Sequence, residues 1–298
     1  MRDGLVVVDK PAGWTSHDVV AKLRGVYGQK RVGHAGTLDP DATGVLLVGL
    51  GRVTRLLRFL QEAGKEYRGR VVFGVATDTL DGSGAVLERT EMRFSREQLD
   101  TVAGAFVGDL EQVPPMVSAL KVGGRRLYDL AREGVEVERA ARTVHVDHLV
   151  VEDFDPADYP EATIRVACSS GTYIRTLAAD IGAALGGCAH LASLRRLRVG
   201  DFTLDDASTL DEITADPDAM IRAPSEATRG MEAVAVDPER ARAVAHGAIF
   251  AAPALLGDRE GGGPFAVVDG RGNLLAVYER RGGAVKPSVV LMSETPVS

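Results

Sequence analysis

Residues 33–44 read Gly33-His34-Ala35-Gly36-Thr37-Leu38-Asp39-Pro40-Asp41-Ala42-Thr43-Gly44, and they stand between two patterns of different period. Upstream, Val19, Val20, Leu23, Val26 and Tyr27 recur at the spacing of one helix face, with Ser16 as the predicted cap and Gly28 as the stop. Downstream, Gly44 to Leu50 is an apolar run short enough for a buried strand. Three glycines let the backbone of such a connection approach a ligand closely, and loops held between rigid elements commonly present binding residues. The stretch is not a phosphate-binding P-loop, since GxxxxGK[ST] occurs nowhere in the chain and Gly64-Lys65 is followed by Glu66. One histidine and two acids at these spacings do not make a metal site. Taken alone, Asp39-Pro40 reads as the start of a turn.

Working outward, strand-like and helix-like runs alternate without the regular βα rhythm of a doubly wound fold. Leu5 to Val8 is a strand ended by Asp9-Lys10-Pro11, and Val53 to Leu60 reads as a short helix with Arg52, Arg55 and Arg58 on one side. Tyr67 to Val75 is a third strand, and Ser95 with Gln98 forms a capping box for a helix reaching about Phe106. A further helix is expected over 126–132, strands at Thr143 to Val151 and Ala162 to Ala167, and a helix from Tyr173 to Leu185 stopped by Gly186-Gly187. The predicted class is α+β, a mixed, mainly antiparallel sheet with helices packed on it. Phe265 to Val268, Leu274 to Tyr278 and Val289 to Met292 are short strands between glycine-rich turns, which suits a small β-rich module. The boundary is placed near residue 232, giving domains 1–231 and 232–298.

The chain has 298 residues and a net charge of −7, which at face value speaks against a nucleic-acid partner. The charge is unevenly spread. Residues 1–75 carry 12 basic and 7 acidic side chains, whereas 201–240 carry 3 and 11 together with three prolines, the pattern of a largely surface segment. Lys22, Arg24, Lys30, Arg31, Arg52, Arg55, Arg58, Lys65, Arg68 and Arg70 give the first block a positive surface suited to RNA phosphates. No run of 18 apolar residues occurs and the N-terminus lacks a cleavage pattern, so a cytoplasmic protein without a membrane span is expected. Cys168 and Cys188 cannot build a disulfide framework and have no CxxC partner; both read as buried small apolar residues.

The segment His34-Ala35-Gly36-Thr37-Leu38-Asp39-Pro40-x-Ala42-Thr43-Gly44, preceded by Asp9-Lys10-Pro11-x-Gly13-x-Thr15-Ser16, resembles the TruB family of tRNA pseudouridine synthases. Three more segments match in order: Lys65-x-Tyr67; Gln112-Val113-Pro114 with Ser118-Ala119-Leu120-Lys121 and Leu127-Tyr128; and Cys168-Ser169-Ser170-Gly171-Thr172-Tyr173-Ile174-Arg175-Thr176-Leu177. The match spans roughly residues 5 to 200. Val117 departs from it, standing where the family commonly has an aromatic residue.

The resemblance implies the pseudouridine synthase fold and isomerisation of uridine 55 in the T loop of tRNA. It also implies a C-terminal module like the small RNA-binding PUA fold, on a fainter match. Breaking the N-glycosidic bond and rejoining the same base through carbon is redox-neutral, so neither cofactor nor metal is expected. The resemblance makes Asp39 the catalytic nucleophile. Attack at the sugar C1′, attack at the ring C6 and assistance to a glycal are all open. Arg175 is implied as its charge partner, Tyr67 as the stacking residue that also helps remove the C5 proton, and Tyr173 as a second pocket wall. His34 is implied to fill space vacated in the RNA loop. Lys121 and Asp81 are implied substrate contacts, and Lys10 and Pro11 structural support for the floor of the site. The expected partner is the T-arm and elbow of tRNA, bound by a monomer. A non-catalytic protein that reshapes tRNA elbows is the rival reading, and a small-molecule enzyme using the glycine-rich loop is a distant third.

Overall fold

The computed structural model describes residues 2–116, 121–122, 125–126 and 137–291. In chain order the first region comprises β1 (Gly4–Lys10), α1 (Ser16–Tyr27), β2 (Val32–Ala35), β3 (Thr43–Leu50), α2 (Leu57–Glu62), β4 (Lys65–Phe73), α3 (Arg96–Gly104) and β5 (Gly108–Gln112). It continues with β6 (Arg142–Asp155), β7 (Glu161–Cys168), α4 (Ile174–Ala184), β8 (Ala189–Val199), β9 (Phe202–Thr203) and α5 (Leu210–Ala215). The strands form one sheet in the order β1-β3-β8-β4-β7-β6-β5, with β2 beside β3 and β9 beside β8. Every pairing is antiparallel except β3 with β8, so the sheet is mixed and mainly antiparallel as predicted.

Strand β1 reads as an unbroken apolar run because both of its faces are covered. Val6 and Val8 pack with Val19, Val20 and Leu23 of α1, while Leu5 and Val7 face Leu56, Leu57 and Leu60. The cap of α1 is Thr15 rather than Ser16. The Thr15 hydroxyl accepts from the Asp18 N–H and the Asp18 carboxylate accepts from the Thr15 N–H, because the first residue able to do this lies one position earlier than the spacing suggested. Ser16 instead turns inward, where its hydroxyl accepts from the Leu38 N–H at 2.9 Å and donates to the Leu38 carbonyl at 3.2 Å.

The glycine-rich stretch is only partly loop. β1 pairs along one whole edge of β3, but the other edge is divided, with Leu47 to Leu50 paired to β2 and Thr43 and Gly44 paired to β8. Residues 36–42 spring from this fork. Gly44 is required there, because its φ is +103° and an added Cβ would lie 2.1 Å from the Arg196 carbonyl oxygen.

Strand β8 has no counterpart in the sequence reading, although it joins the two halves of the sheet. Its aliphatic residues are interleaved with Arg195, Arg196 and Arg198, and bulges between Leu191 and Ser193 and between Arg196 and Arg198 break the alternation that marks a strand. The predicted basic helix of Val53 to Leu60 is a 3-10 turn, Gly51–Arg55, followed by α2. Arg126 closes a two-residue strand paired with Lys121, while 127–132 lie outside the described residues, as do Val117 to Leu120 and the Lys121 side chain.

The acidic stretch 201–240 is more than a surface segment. Leu210 and Ile213 of α5 are buried against α1 and β1, Arg222 exchanges backbone hydrogen bonds with Leu5, and Ser208 does so with Val7 and Asp9. Several of its acids serve this structure: Glu212 caps α5, and Asp206 pairs with Arg222 and Arg229.

A second sheet follows, built from β10 (Glu232–Ala235), β11 (Phe250–Ala251), β12 (Phe265–Val268), β13 (Leu274–Arg281) and β14 (Ala284–Val290) in the order β10-β12-β13-β14-β11. Two short helices, Pro238–Ala245 and Ala252–Leu256, pack on it. Its Ala266, Leu274, Val277, Val289 and Leu291 join the cluster formed by Leu5, Val7, Leu56 and Leu60, so the two sheets share apolar packing.

Candidate active site

Lys10 ends β1 fully buried, and its ammonium donates to the carbonyls of Pro11, Trp14 and Pro40 at 2.9, 2.6 and 2.9 Å. Burial pushes Lys10 down to about 8, against the pull of Asp41 and Asp39. Gly13 N–H also donates to the Pro40 carbonyl, so the residue after Asp39 is held by two elements at once. With Ser16 bridging Leu38, the loop is fastened on both sides of Asp39.

Asp39 lies at the mouth of a pocket of about 250 Å³ lined by Gly36, Leu38, Lys65, Tyr67, Tyr173, Arg175, Leu194 and Arg196. Its side chain is 47 % exposed, whereas that of Arg175 is 6 % exposed, and the two are 3.2 Å apart. Crowding by protein raises the Asp39 carboxyl above the usual aspartate range; Arg175 opposes that shift and Asp81 adds to it. Arg175 is held from behind, donating to Asp81 at 3.0 Å and to the Thr79 carbonyl at 3.1 Å. The other Asp81 oxygen accepts from Thr79 Oγ1 and from the N–H and hydroxyl of Ser83, and these bonds with Arg175 outweigh burial and hold its carboxyl low. Asp81 is thus both a turn residue and the second carboxylate on Arg175. One arginine clasped by two carboxylates is fixed in direction as well as in charge.

Tyr67 is 8 % exposed and belongs to the core cluster of β4, yet it also lines the pocket. Burial raises its phenol, with the neighbouring Arg196 opposing, so at neutral pH it stands as a neutral ring. Tyr173 precedes α4, and its backbone is clasped by the buried Gln112 side chain, which accepts from the Tyr173 N–H and donates to its carbonyl.

His34 does not join this pocket. It lies in an adjoining basic cleft of about 420 Å³ with Lys30, Arg31, Thr54, Arg55, Arg58 and Gln61. Its ring meets His17 edge-on at 5.3 Å, and burial pushes it down to about 4. Strand β2 carries His34 away from the fork, which is why a position only five residues from Asp39 ends in a different cavity.

The predicted positive surface is partly tied into the fold. Arg52, Arg55 and Arg58 donate to the carbonyls of Leu291, Val290 and Ser288, and so bind the second sheet. Arg68 and Arg70 pair with Glu152 and Glu161 on neighbouring strands, and Lys65 is buried, its ammonium donating to the carbonyls of Gln61 and Ala63. Cys168 is buried as expected, and Cys188 partly so. Among the described residues no helix is long and apolar enough to cross a membrane.

Sequence reasoning missed Arg196 and the clasping role of Gln112. The signal for Gln112 was its place in a matched segment. Arg196 stands in the stretch Arg195-Arg196-Leu197-Arg198, which carries no role in the sequence reading.

The sequence matches the TruB family pseudouridylate synthase N-terminal domain over residues 24–174 and the tRNA pseudouridylate synthase B C-terminal domain over 175–225. It is 44 % identical over 296 residues to the tRNA pseudouridine synthase B of Thermobifida fusca, covering 97 % of this chain and 99 % of that one. It is 49 % identical over 246 residues to the protein of the same name from Symbiobacterium thermophilum, covering 82 % of each. Among solved structures, the chain resembles one in a Cbf5-Nop10-Gar1 complex with a TM-score of 0.77 and 28 % identity, covering 97 % of this chain and 85 % of that one. It also resembles a chain of an H/ACA RNP bound to a substrate RNA containing 2′-deoxyuridine, with a TM-score of 0.75, 26 % identity and the same coverage.

Proposed function

The chain belongs to the TruB family of pseudouridine synthases, and from that premise we propose that it isomerises uridine 55 in the T loop of tRNA, with Asp39 as nucleophile. The observation that carries the reading is the Asp39–Arg175 ion pair at 3.2 Å in a pocket walled by two tyrosines. A carboxylate that is half open to solvent and paired to a rigidly held arginine can reach the sugar–base junction while its charge is supported.

The reaction breaks the C1′–N1 and C5–H bonds of the nucleotide and forms C1′–C5 and N1–H bonds, so the proton lost at C5 is matched by one gained at N1 and no electrons are gained or lost. The base must first leave its stack, at a cost of a few kcal/mol. The Tyr67 ring offers a face worth about 1–3 kcal/mol of stacking in return, with Tyr173 as the opposite wall. His34, at the head of the adjoining cleft, is read as the side chain that occupies the vacated space in the RNA loop, and Lys121 as a further contact to RNA. Residues 1–231 are assigned to the isomerase domain and 232–298 to a PUA-like module, acting as a monomer in the cytoplasm.

The test is to map pseudouridine in unmodified tRNA incubated with the purified protein. Pseudouridine at position 55, lost in Asp39→Asn, is the expected result, and affinity for tRNA should fall steeply as salt rises. No modification of the T loop by the parental protein would overturn the reading. Retention of the parental rate by Asp39→Asn would remove Asp39 from the role.

A further inference from the structure

Arg196 is fully buried, and among the described residues no carboxylate lies within ion-pair distance of it. A buried guanidinium in that condition carries a desolvation penalty that a surface arginine escapes. Its donors go instead to backbone, with Nε donating to the Val45 carbonyl at 2.7 Å and one terminal nitrogen to the Gly36 carbonyl at 3.1 Å. In the sheet register Arg196 stands directly opposite Tyr67 on one side and opposite Gly44 on the other. Side chains at directly opposed positions share a face, which puts the guanidinium beside the phenol that lines the pocket.

The surrounding sequence is shaped to admit this side chain. Its second nitrogen lies 3.4 Å from where a Cβ would stand on Gly36, and Gly44 has no room for a Cβ against the Arg196 backbone. Three parts of the site therefore meet at one residue: the start of the Asp39 loop at Gly36, its end at Gly44 and Val45, and the ring of Tyr67.

We propose that Arg196 is a positioning residue for the isomerisation, one that fixes the Tyr67 ring relative to both ends of the Asp39 loop. This rests on the reading of the pocket as the isomerisation site. The cationic groups that face Tyr67 and the loop from the elements packed here are Arg196 on β8, Lys65 on β4, Lys10 on β1 and Arg175 on α4; the acidic groups are Asp39, Asp41 and Asp81. Lys10 bonds to the loop at Pro40 and Arg175 at Asp39, but Arg196 alone among them reaches Gly36 and Val45 at its two ends. A lysine at 196 would keep the charge but present a single nitrogen, which cannot serve the Val45 and Gly36 carbonyls in the fixed fork geometry of a guanidinium.

The test compares the parental protein, Arg196→Lys and Asp39→Asn, measuring thermal melting, affinity for tRNA and single-turnover pseudouridine formation. The expected result is that Arg196→Lys binds tRNA within about threefold of the parental affinity while its single-turnover rate falls about 100-fold, the cost of a displacement near 1 Å. Arg196→Gln, a planar side chain with two donors on one nitrogen, serves as the second variant if the lysine form does not fold. A parental rate in either folded variant would overturn the proposal. So would a rate loss wholly accounted for by weakened tRNA binding, or one that disappears when tRNA saturates. Failure of the parental protein to modify tRNA would instead overturn the reading of the pocket, so the two failures are distinguishable.

Discussion

Replacing Lys10 by Met gives an unbranched apolar side chain one atom shorter and removes its three donors. The carbonyls of Pro11, Trp14 and Pro40 would then face a thioether in a fully buried position. A buried carbonyl left without a partner costs about 1–3 kcal/mol. Methionine relieves the desolvation of an ammonium, the same burial that pushes Lys10 down to about 8, so the low end of that range applies to each carbonyl. The Pro40 carbonyl keeps the Gly13 N–H, so the net loss is about 2 kcal/mol for the Pro11 and Trp14 carbonyls. At about 2–4 °C per kcal/mol for a chain of this size, Tm should fall by about 4–8 °C. The catalytic effect is separate, because the Pro40 carbonyl immediately follows Asp39. A carboxylate displaced by about 1 Å loses about 100-fold in rate. The assay is a thermal melt followed by circular dichroism, with single-turnover pseudouridine formation measured well below either melting temperature. If Lys10→Met melted with the parental protein and turned over at its rate, the three-carbonyl brace would have no part in holding Asp39.

Three other outcomes are expected. Arg175→Met removes the group that opposes the raised Asp39 carboxyl, so the acid limb of the single-turnover rate should move toward neutrality; an unmoved limb would separate Arg175 from the ionisation of Asp39. Burial alone would raise Glu66, but hydrogen bonds from Arg165 and Arg198 outweigh it and hold the folded-state pKa below the unfolded one. Its contribution to stability is therefore present above about pH 4.5 and lost as pH falls through the folded value. The melting difference between Glu66→Gln and the parental protein should accordingly shrink as pH is lowered below about 4.5, and a constant difference would refute the linkage. Removing both Arg52 and Arg55 as alanines strips the bonds to the Leu291 and Val290 carbonyls, and amide exchange over 284–291 should quicken by at least about tenfold, the equivalent of 1.4 kcal/mol. Unchanged exchange would show that the shared apolar cluster alone holds β14.

What the sequence made legible depended on how local the signal was. The Thr15 to Gly28 helix, the runs that became β1 and β3, and the Ser95 capping box each lie within about a dozen residues, where periodicity and caps act. Asp39, Tyr67, Tyr173 and Arg175 were legible through matched motifs, and the fold brings them to one pocket. His34 belongs to the same motif and goes elsewhere, since a linear motif does not show that β3 divides its edge between two partners. Strand β8 was hidden because its arginines, which read as solvated charge, are partly engaged inside the sheet. The same blindness concealed a second role of the basic surface: Arg52, Arg55 and Arg58 look free in sequence and also donate to backbone carbonyls far along the chain.

The fork in β3 also governs when the site comes into being. The Gly36–Arg196 bond spans 160 residues, and the Thr43–Arg195 bond spans 152. At a synthesis rate of about 5–20 residues per second, roughly 8–32 s separate the emergence of the Asp39 loop from that of the strand beneath it. Throughout that interval a nascent chain displays the loop without its arginine supports. The pocket around Asp39 is therefore a product of late, long-range closure, the kind of contact that slows folding.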